Sequence, residues 1–588
     1  MLCASLAALE VQAAPTTTPT PNVPMSLPPF PIETLPHIPS PLTNPTTTPS
    51  TPTFTAPATA IAPTASPTPL RNNGAPTALP PATLARLNLL LSSPDVADAH
   101  IGVCIQVLGS ASSADSFPSK AYVSGAQPIL FSSDGDKRFL PASNMKLFTA
   151  ALALKVLGPE KTFATRVFAA SSTRSGQGDK NDKGATLYIV GGGDPSLTID
   201  DLRQMARDVR KSGITKVDKV VADTSLFQSE TMGGRYPDGW TLDDSIWYYG
   251  AEVSALALER NQVDVTITGT RSGRAAKVEV DPVLPGFALG TDIIAQVQTG
   301  SRSLGKQSES DLIQWDRADA NNGLGPKLYV RGQVAPRQVI SDGLAIPNVA
   351  RVVALTFAQQ LRAQDISVGG STEVGIRPPE ANKTVAQHDS QPLRVLVSRF
   401  LKKSDNLYGE MFLRGVGATV DSDSSSGGNT SDESSGAGVA STGTAGRAHR
   451  LLLDWLRQID VPTGGLRLSD GSGLSRYNLL TPHAIVSLLA ATEKLKGSQA
   501  FWDALPIAGA DGTLKSRMAN TRAANNVRAK TGTFSIASCL SGYVTTRDGQ
   551  RLAVSVLTNF ARNGDQSRQL QNDIFAALAD ASWAPSDS

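Results

Sequence analysis

The 588-residue chain holds only three cysteines, too few for a disulfide framework to stand in for a hydrophobic core. Cys104 in HIGVCIQVLG and Cys539 in SIASCLSGYV stand in strand-like runs, where a buried free thiol is expected; Cys3 lies at the extreme N-terminus. Histidine is nearly as scarce. The five residues, His37, His100, His388, His449 and His483, include no pair at metal-ligand spacing, so no metal and no other cofactor is implied. The net charge is only +2 and the basic residues form no stripe, which removes the electrostatic ground for a nucleic-acid partner. No apolar run is long enough to cross a bilayer, so no transmembrane segment is expected. The G-x-S-x-G elbow of one large hydrolase class is also missing.

What the chain has in excess is Pro and Thr. Residues 15–82, beginning APTTTPTPNVPMSLPPF, cannot bury enough apolar surface to offset their ordering entropy and read as a disordered, polyproline-like spacer. Before them, residues 1–14 pass from a short apolar run to Val11-Gln12-Ala13, which suits signal-peptidase cleavage after Ala13. A basic start is missing there, so the expectation is a truncated signal-peptide-like segment.

From residue 83 the texture is globular. A helix with Leu at helical spacing comes first, then two strands, AHIGVCIQVLG and AYVSGAQPILF, then a helix entered near Ser143; together they make the first part of a domain, 83–160, which the motifs below mark as catalytic. Residues 161–374 are short β-branched runs separated by Gly, Asp and Asn turns, and read as inserted β-rich domains. A second part, 375–588, follows. It has a helical stretch through PLRVLVSRFLKKSDNLYGEMFLRGVG, a disordered Gly/Ser loop at about 415–445, two amphipathic helices, three strands and a closing helix. The layout predicts one mixed α/β domain split by an insertion.

Three short motifs carry chemistry. In PASNMKLFTAALALKVLG, Ser143 and Lys146 are three apart on a helix and share a face. The helix N-terminus and burial both favour a neutral amine, able to take the serine proton. Spacing alone leaves a polar helix cap as the alternative, because Ser303 and Lys306 repeat it in a Gly-rich loop. Ser404-Asp405-Asn406 pairs a hydroxyl that can shuttle a proton with a carboxamide that can hold a substrate amide; alone it also reads as a local turn. Lys530-Thr531-Gly532-Thr533 puts an ammonium beside a glycine in a strand, suited to a substrate carboxylate and to pairing with an extended peptide, or else to protecting a sheet edge. The three in this order, on a helix, in a helical region and on a strand, are far more specific than any one.

Taken together, these motifs resemble the penicillin-recognising serine enzymes. More narrowly, LYIVGGGDPSLT (187–198), YPDGWTLDDSIWYYGAEVSALALERN (236–261) and LSDGSGLSRYNLLTP (468–482), with the long insertion, resemble the penicillin-binding protein 4 type D-alanyl-D-alanine carboxypeptidases of peptidase family S13. The resemblance covers about residues 83–580. It implies a β-lactamase/transpeptidase-like catalytic domain, an antiparallel sheet flanked by helices, with inserted domains beside it. By motif, Ser143 resembles the acylated nucleophile, Lys146 its base, Ser404 the proton relay to the leaving amine and Asn406 the holder of the substrate amide. Lys530, with Thr531 and Gly532, resembles the carboxylate anchor, and the N–H groups of Ser143 and Thr533 the oxyanion hole.

The reaction so implied is acyl transfer on peptidoglycan stem peptides, carboxypeptidase and also endopeptidase, with β-lactams acylating the same serine, in a periplasmic or otherwise exported, cell-wall-associated protein. Asp243, Tyr248 and Arg476 fall in phrases that lie near the active-site mouth in this family. They are expected to read the stem's diaminopimelate side chain, with a structural ion pair as the alternative. A β-lactamase would need a glutamate to activate the deacylating water, and no E-x-x-L-N follows Ser404. A non-catalytic wall-binding protein of the same fold would not need every motif residue. The resemblance also makes a Cys104–Cys539 disulfide doubtful: if the first strand pairs with 551–560, the two cysteines lie a strand too far apart.

Overall fold

The computed structural model describes residues 75–111, 117–118, 120–121, 127–170, 184–227, 235–287, 289–295, 313–318, 327–420, 438–439 and 443–584. Residues 1–74, which hold the signal-like segment and most of the Pro/Thr spacer, most of the Gly/Ser tract, and the second Ser–Lys pair at 303 and 306 lie outside them.

Strand His100–Ser110 pairs antiparallel with Gln550–Asn559, which pairs with Ala537–Thr545, which pairs with Arg528–Phe534. Lys120–Ala121 and Ile129–Ser133 also pair with the first strand, completing a six-stranded antiparallel sheet. The expected strand AYVSGAQPILF is therefore two pieces, and Pro128, with no N–H to donate, immediately precedes the second.

Alternation along the strands fixes the two faces. Val103, Ile105 and Val107 join one buried cluster with Ile574 and Phe575 of helix Gly564–Asp580 and Leu87 of helix Pro81–Leu91. Cys104 and Leu108 face the other way, into the cluster of helices Met145–Leu157, Leu393–Lys403, Asn406–Gly417, Gly443–Gln458 and Pro482–Thr492. Cys104 sits opposite Ser555 and Cys539 opposite Leu557, so strand Gln550–Asn559 separates two buried free thiols.

Every residue from Met145 to Leu154 is buried, as expected of a helix apolar on all sides. The helix stops at Gly158, which takes φ +81° and returns its N–H to the Leu154 carbonyl at 3.2 Å.

The insertion holds a five-stranded sheet in the order Ser367–Val374, Lys216–Asp223, Ala185–Val190, Ala164–Ala170, Lys383–Asp389, together with a three-stranded and a four-stranded sheet. The last of these five strands lies beyond residue 374, where the change of sequence texture places the end of the insertion. Two helices, Ile199–Lys211 and Val349–Arg362, also belong to this stretch and were not expected from its β-branched runs. Thr198 and Asp201 cap the first reciprocally. In the second, Val349, Val352, Val353 and Phe357 are buried, so packing overrides their strand preference. The chain leaves and rejoins the catalytic part at one place, because the Phe163 N–H donates to Ser390 Oγ and the Ser390 N–H to the Phe163 carbonyl, both at 3.0 Å. No helix among the described residues is long and apolar enough to cross a membrane.

Candidate active site

The segment before the first motif is tied to the central sheet. Asn559 accepts the Leu140 N–H at 2.8 Å and donates to the Leu140 carbonyl at 3.1 Å. Ala142 then takes φ +44°, and Ser143 sits in a short 3-10 turn, Ala142–Asn144, that runs straight into helix Met145–Leu157. Lys146, on the first turn of that helix, is fully buried. Its ammonium donates to Ser143 Oγ at 2.9 Å, Asn406 Oδ1 at 2.6 Å and the Ser472 carbonyl at 2.5 Å, which uses all three of its protons. Burial pulls its pKa down to about 8, while Asp470, Asp405 and Glu410 act against that fall.

The second motif lies at a helix break, not within one helix. Ser404 closes helix Leu393–Lys403 in the left-handed region, φ +60°, and Asp405 opens the next helix, its carboxylate accepting the Tyr408 N–H at 3.4 Å. The break turns Ser404 Oγ toward Lys530 Nζ, 2.9 Å away, and lets Asn406 bridge Lys146 to the Tyr249 carbonyl, to which its Nδ2 donates at 2.8 Å.

The third motif is on strand Arg528–Phe534, at the end of the sheet order. Its first half is covered, since the Ala529 N–H reaches the Pro506 carbonyl and the Ala508 N–H the Val527 carbonyl, each at 3.0 Å. From Lys530 onward its outer edge has no backbone partner among the described residues. Lys530 is fully buried, and burial together with the Lys146 charge holds its pKa well below the usual lysine value. Thr531 Oγ1 donates to Thr513 Oγ1 at 2.8 Å, and Thr533 is exposed. Gly532 lies against the Ser143 turn: a Cβ there would stand 2.8 Å from the Pro141 carbonyl oxygen and 3.0 Å from the Ser143 nitrogen.

The motifs alone do not disclose what holds Lys146 from below. Loop Ser469–Ser475 passes under the Ser143 turn, and Gly473, at φ +83°, comes so near that a Cβ would lie 1.9 Å from the Ala142 carbonyl oxygen. Fully buried Asp470 organises this loop, accepting from Gly473 N and Ser475 N at 2.7 Å, Asn478 Nδ2 at 2.6 Å, Trp240 Nε1 at 2.9 Å and Ser472 Oγ at 3.0 Å. Glu410, one turn beyond Asn406, accepts the Gly471 and Ser472 N–H groups at 2.9 Å each and pairs with Arg414 at 3.0 Å. The visible signal was the D-G-S-G run, a turn-rich stretch with a carboxylate at its head.

Arg476, expected to work with Asp243, instead makes a two-point ion pair with Asp244, the second contact at 3.3 Å. Both acids lie in the 3-10 turn Asp243–Ile246, where successive side chains diverge: Asp244 is buried and Asp243 exposed. The Arg476 guanidinium also lies 5.1 Å from the centre of the Phe534 ring, at the end of the third-motif strand. Tyr248 is partly exposed and packs edge-on to Tyr249, whose carbonyl holds Asn406.

The chain is similar to known proteins over most of its length. A D-alanyl-D-alanine carboxypeptidase of Actinomadura sp. (strain R39) is 33% identical over 466 residues, covering 77% of this chain and 79% of that one. A carboxypeptidase of Haemophilus influenzae, DacB, is 27% identical over 443 residues, covering 74% and 84%. In three dimensions, penicillin-binding protein 4 of H. influenzae superposes with a TM-score of 0.65 at 22% identity, covering 83% of this chain and 99% of the other, which establishes the shared fold. That fold has also been seen, in the same H. influenzae protein, complexed with a β-lactam. Residues 122–581 match the D-Ala-D-Ala carboxypeptidase 3 family, S13, and the chain belongs to this family of serine-type peptidases.

Proposed function

We propose that the protein removes the terminal D-alanine from peptidoglycan stem peptides through an acyl-enzyme on Ser143. The observation that carries this reading is the 2.9 Å contact between Lys146 Nζ and Ser143 Oγ, with the amine buried and its pKa drawn down to about 8. Once neutral, Lys146 takes the Ser143 proton as Oγ attacks the penultimate D-alanine carbonyl. The N–H groups of Ser143 and Thr533 receive the developing oxyanion. Ser404, held at 2.9 Å by Lys530, relays the proton taken up by Lys146 to the departing amine, and Lys530 meets the terminal carboxylate. Asn406, fixed between Lys146 and the Tyr249 carbonyl, holds the substrate amide. Water then releases the shortened peptide.

The open outer edge beyond Lys530 can pair with an extended chain, so cross-linked stems fit the same groove and endopeptidase action belongs to this reading. Glu410, the nearest glutamate to the second motif in sequence, is fully buried and occupied by Gly471, Ser472 and Arg414. It is not free to activate a deacylating water, which favours a long-lived β-lactam adduct over β-lactamase turnover. A cell-wall substrate places the working enzyme outside the cytoplasm.

Incubation with labelled penicillin and mass mapping of the adduct tests the assignment. Label should fall on the peptide containing Ser143 and vanish in Ser143→Ala; label elsewhere, or rapid release of hydrolysed penicillin, would reject it.

A further inference from the structure

A cleft of about 760 Å³ opens between the insertion and the catalytic part, beside the C-terminal end of helix Asn406–Gly417. That helix is 12 residues long, so the cleft is removed from Asn406 by about 18 Å. Its walls carry Lys161, Arg166, Arg377 and Arg447 against one carboxylate, Asp389. That carboxylate accepts from Gln387 Nε2 at 2.8 Å.

The cations are not all loose surface charges. Arg447 is only 8% exposed, and its Nε donates to the Gly417 carbonyl at 3.1 Å. Held in this way, the Arg447 side chain lines the cleft. Arg377 is fixed by the Ala381 carbonyl at 2.7 Å and lies 4.4 Å from the centre of the Phe168 ring. Phe163, Phe168 and Leu226 add an apolar wall. Guanidinium forks beside an alkyl-compatible surface suit a peptide carboxylate better than a bare phosphate.

We propose that the cleft is a second binding site, for a carboxylate-bearing peptide. On the functional reading above, the ligand is a neighbouring stem of the same polymer, held while Ser143 acts on another. The site would then keep the enzyme on its polymeric substrate without taking part in the chemistry.

The test uses full-length protein first acylated with penicillin, so that the Ser143 groove is occupied. It is titrated calorimetrically with the tripeptide L-Ala-γ-D-Glu-diaminopimelate and, separately, with inorganic pyrophosphate. The expected result is saturable one-to-one binding of the tripeptide, weakened at least tenfold in Lys161→Glu/Arg166→Glu and retained in Lys161→Arg. Lys161 and Arg166 are both exposed, so the double variant should melt at the wild-type temperature. Absence of saturable binding, equal binding by the double variant, or binding of pyrophosphate alone would overturn the proposal. Failure of penicillin to acylate would instead count against the Ser143 assignment, and the same titration on unblocked protein would still read the cleft.

Discussion

Glu410 and Ser472 form the joint that sets the height of the Lys146 amine: the Glu410 carboxylate accepts the Ser472 N–H at 2.9 Å, and the carbonyl of the same Ser472 accepts from Lys146 at 2.5 Å. The second-motif helix thereby positions the first-motif lysine twice, through Asn406 directly and through Glu410 by way of the loop.

Glu410→Ala would leave the Gly471 and Ser472 N–H groups without their acceptor and Arg414, 9% exposed, without its counter-charge. Breaking a buried pair in this way costs about 3–5 kcal/mol. Urea unfolding should show a loss of this order, and penicillin acylation should slow at least tenfold even in the fraction that is folded. Glu410→Gln keeps an oxygen for the two N–H groups and should recover most of the acylation rate. Wild-type acylation by the alanine variant would refute the positioning role.

The rate of acylation should depend on the proton held by Lys146. With its pKa brought down by burial to about 8, the neutral amine grows as pH rises through that value, so the rate should climb and level off above it. Asp470, Asp405 and Glu410 all favour the ammonium, so Glu410→Gln, which removes one negative charge, should move the midpoint to lower pH. Stopped-flow acylation from pH 6 to 10 measures both effects. A flat profile, or a midpoint that moves upward in the variant, would contradict the assignment of Lys146 as the base.

Much of this site is written locally, and the rest is not. The Ser143–Lys146 contact follows from three-residue helical spacing, and the apolar run behind it foretells the buried helix. The strand pairing that the resemblance gave as its ground against a Cys104–Cys539 disulfide is present, and the third motif lies two strands further along the same sheet. The break at Ser404 was not legible, since neither Gly nor Pro marks it and the apolar period runs on through both helices. Of the Asp470 hub only the turn-rich D-G-S-G run was visible; its partner Trp240 is 230 positions away in sequence and meets it only after the insertion packs against the loop. At Asp243 and Asp244 a single step around a 3-10 turn decides which carboxylate finds Arg476, a distinction finer than any sequence period resolves.

That pair makes a third prediction. Asp244 is 5% exposed and also accepts the Thr241 N–H at 2.9 Å, so it anchors the turn immediately before the one that carries Tyr248 and Tyr249. Asp244→Ala should therefore lower stability by about 1–3 kcal/mol and raise KM for stem peptides through the displaced Tyr249 carbonyl. Asp243→Ala, at an exposed position, should leave stability unchanged. If the exposed variant destabilises the fold and the buried one does not, the roles of the two acids have been exchanged.

Gly532 offers the sharpest separation of fold from chemistry. Its Cα faces the Ser143 turn at a range where a methyl group would meet the Pro141 carbonyl oxygen at 2.8 Å, Asn144 Nδ2 at 2.9 Å and the Ser143 nitrogen at 3.0 Å. Two of these neighbours are backbone atoms of the turn that presents the nucleophile, and that turn is held in place by Asn559 and the Gly473 loop. It cannot yield without moving Ser143, so the strand must give way and carry the Thr533 N–H and the open edge with it. Gly532→Ala should thus slow both acylation by penicillin and release of D-alanine by about a hundredfold, equivalent to about 2.7 kcal/mol of transition-state stabilisation. Because the strand stays paired with Ala537–Thr545 along its inner edge, the melting temperature should fall by only a few degrees. A variant with near wild-type acylation would mean that the strand and the nucleophile turn move apart freely, and that the oxyanion hole is not built from this contact.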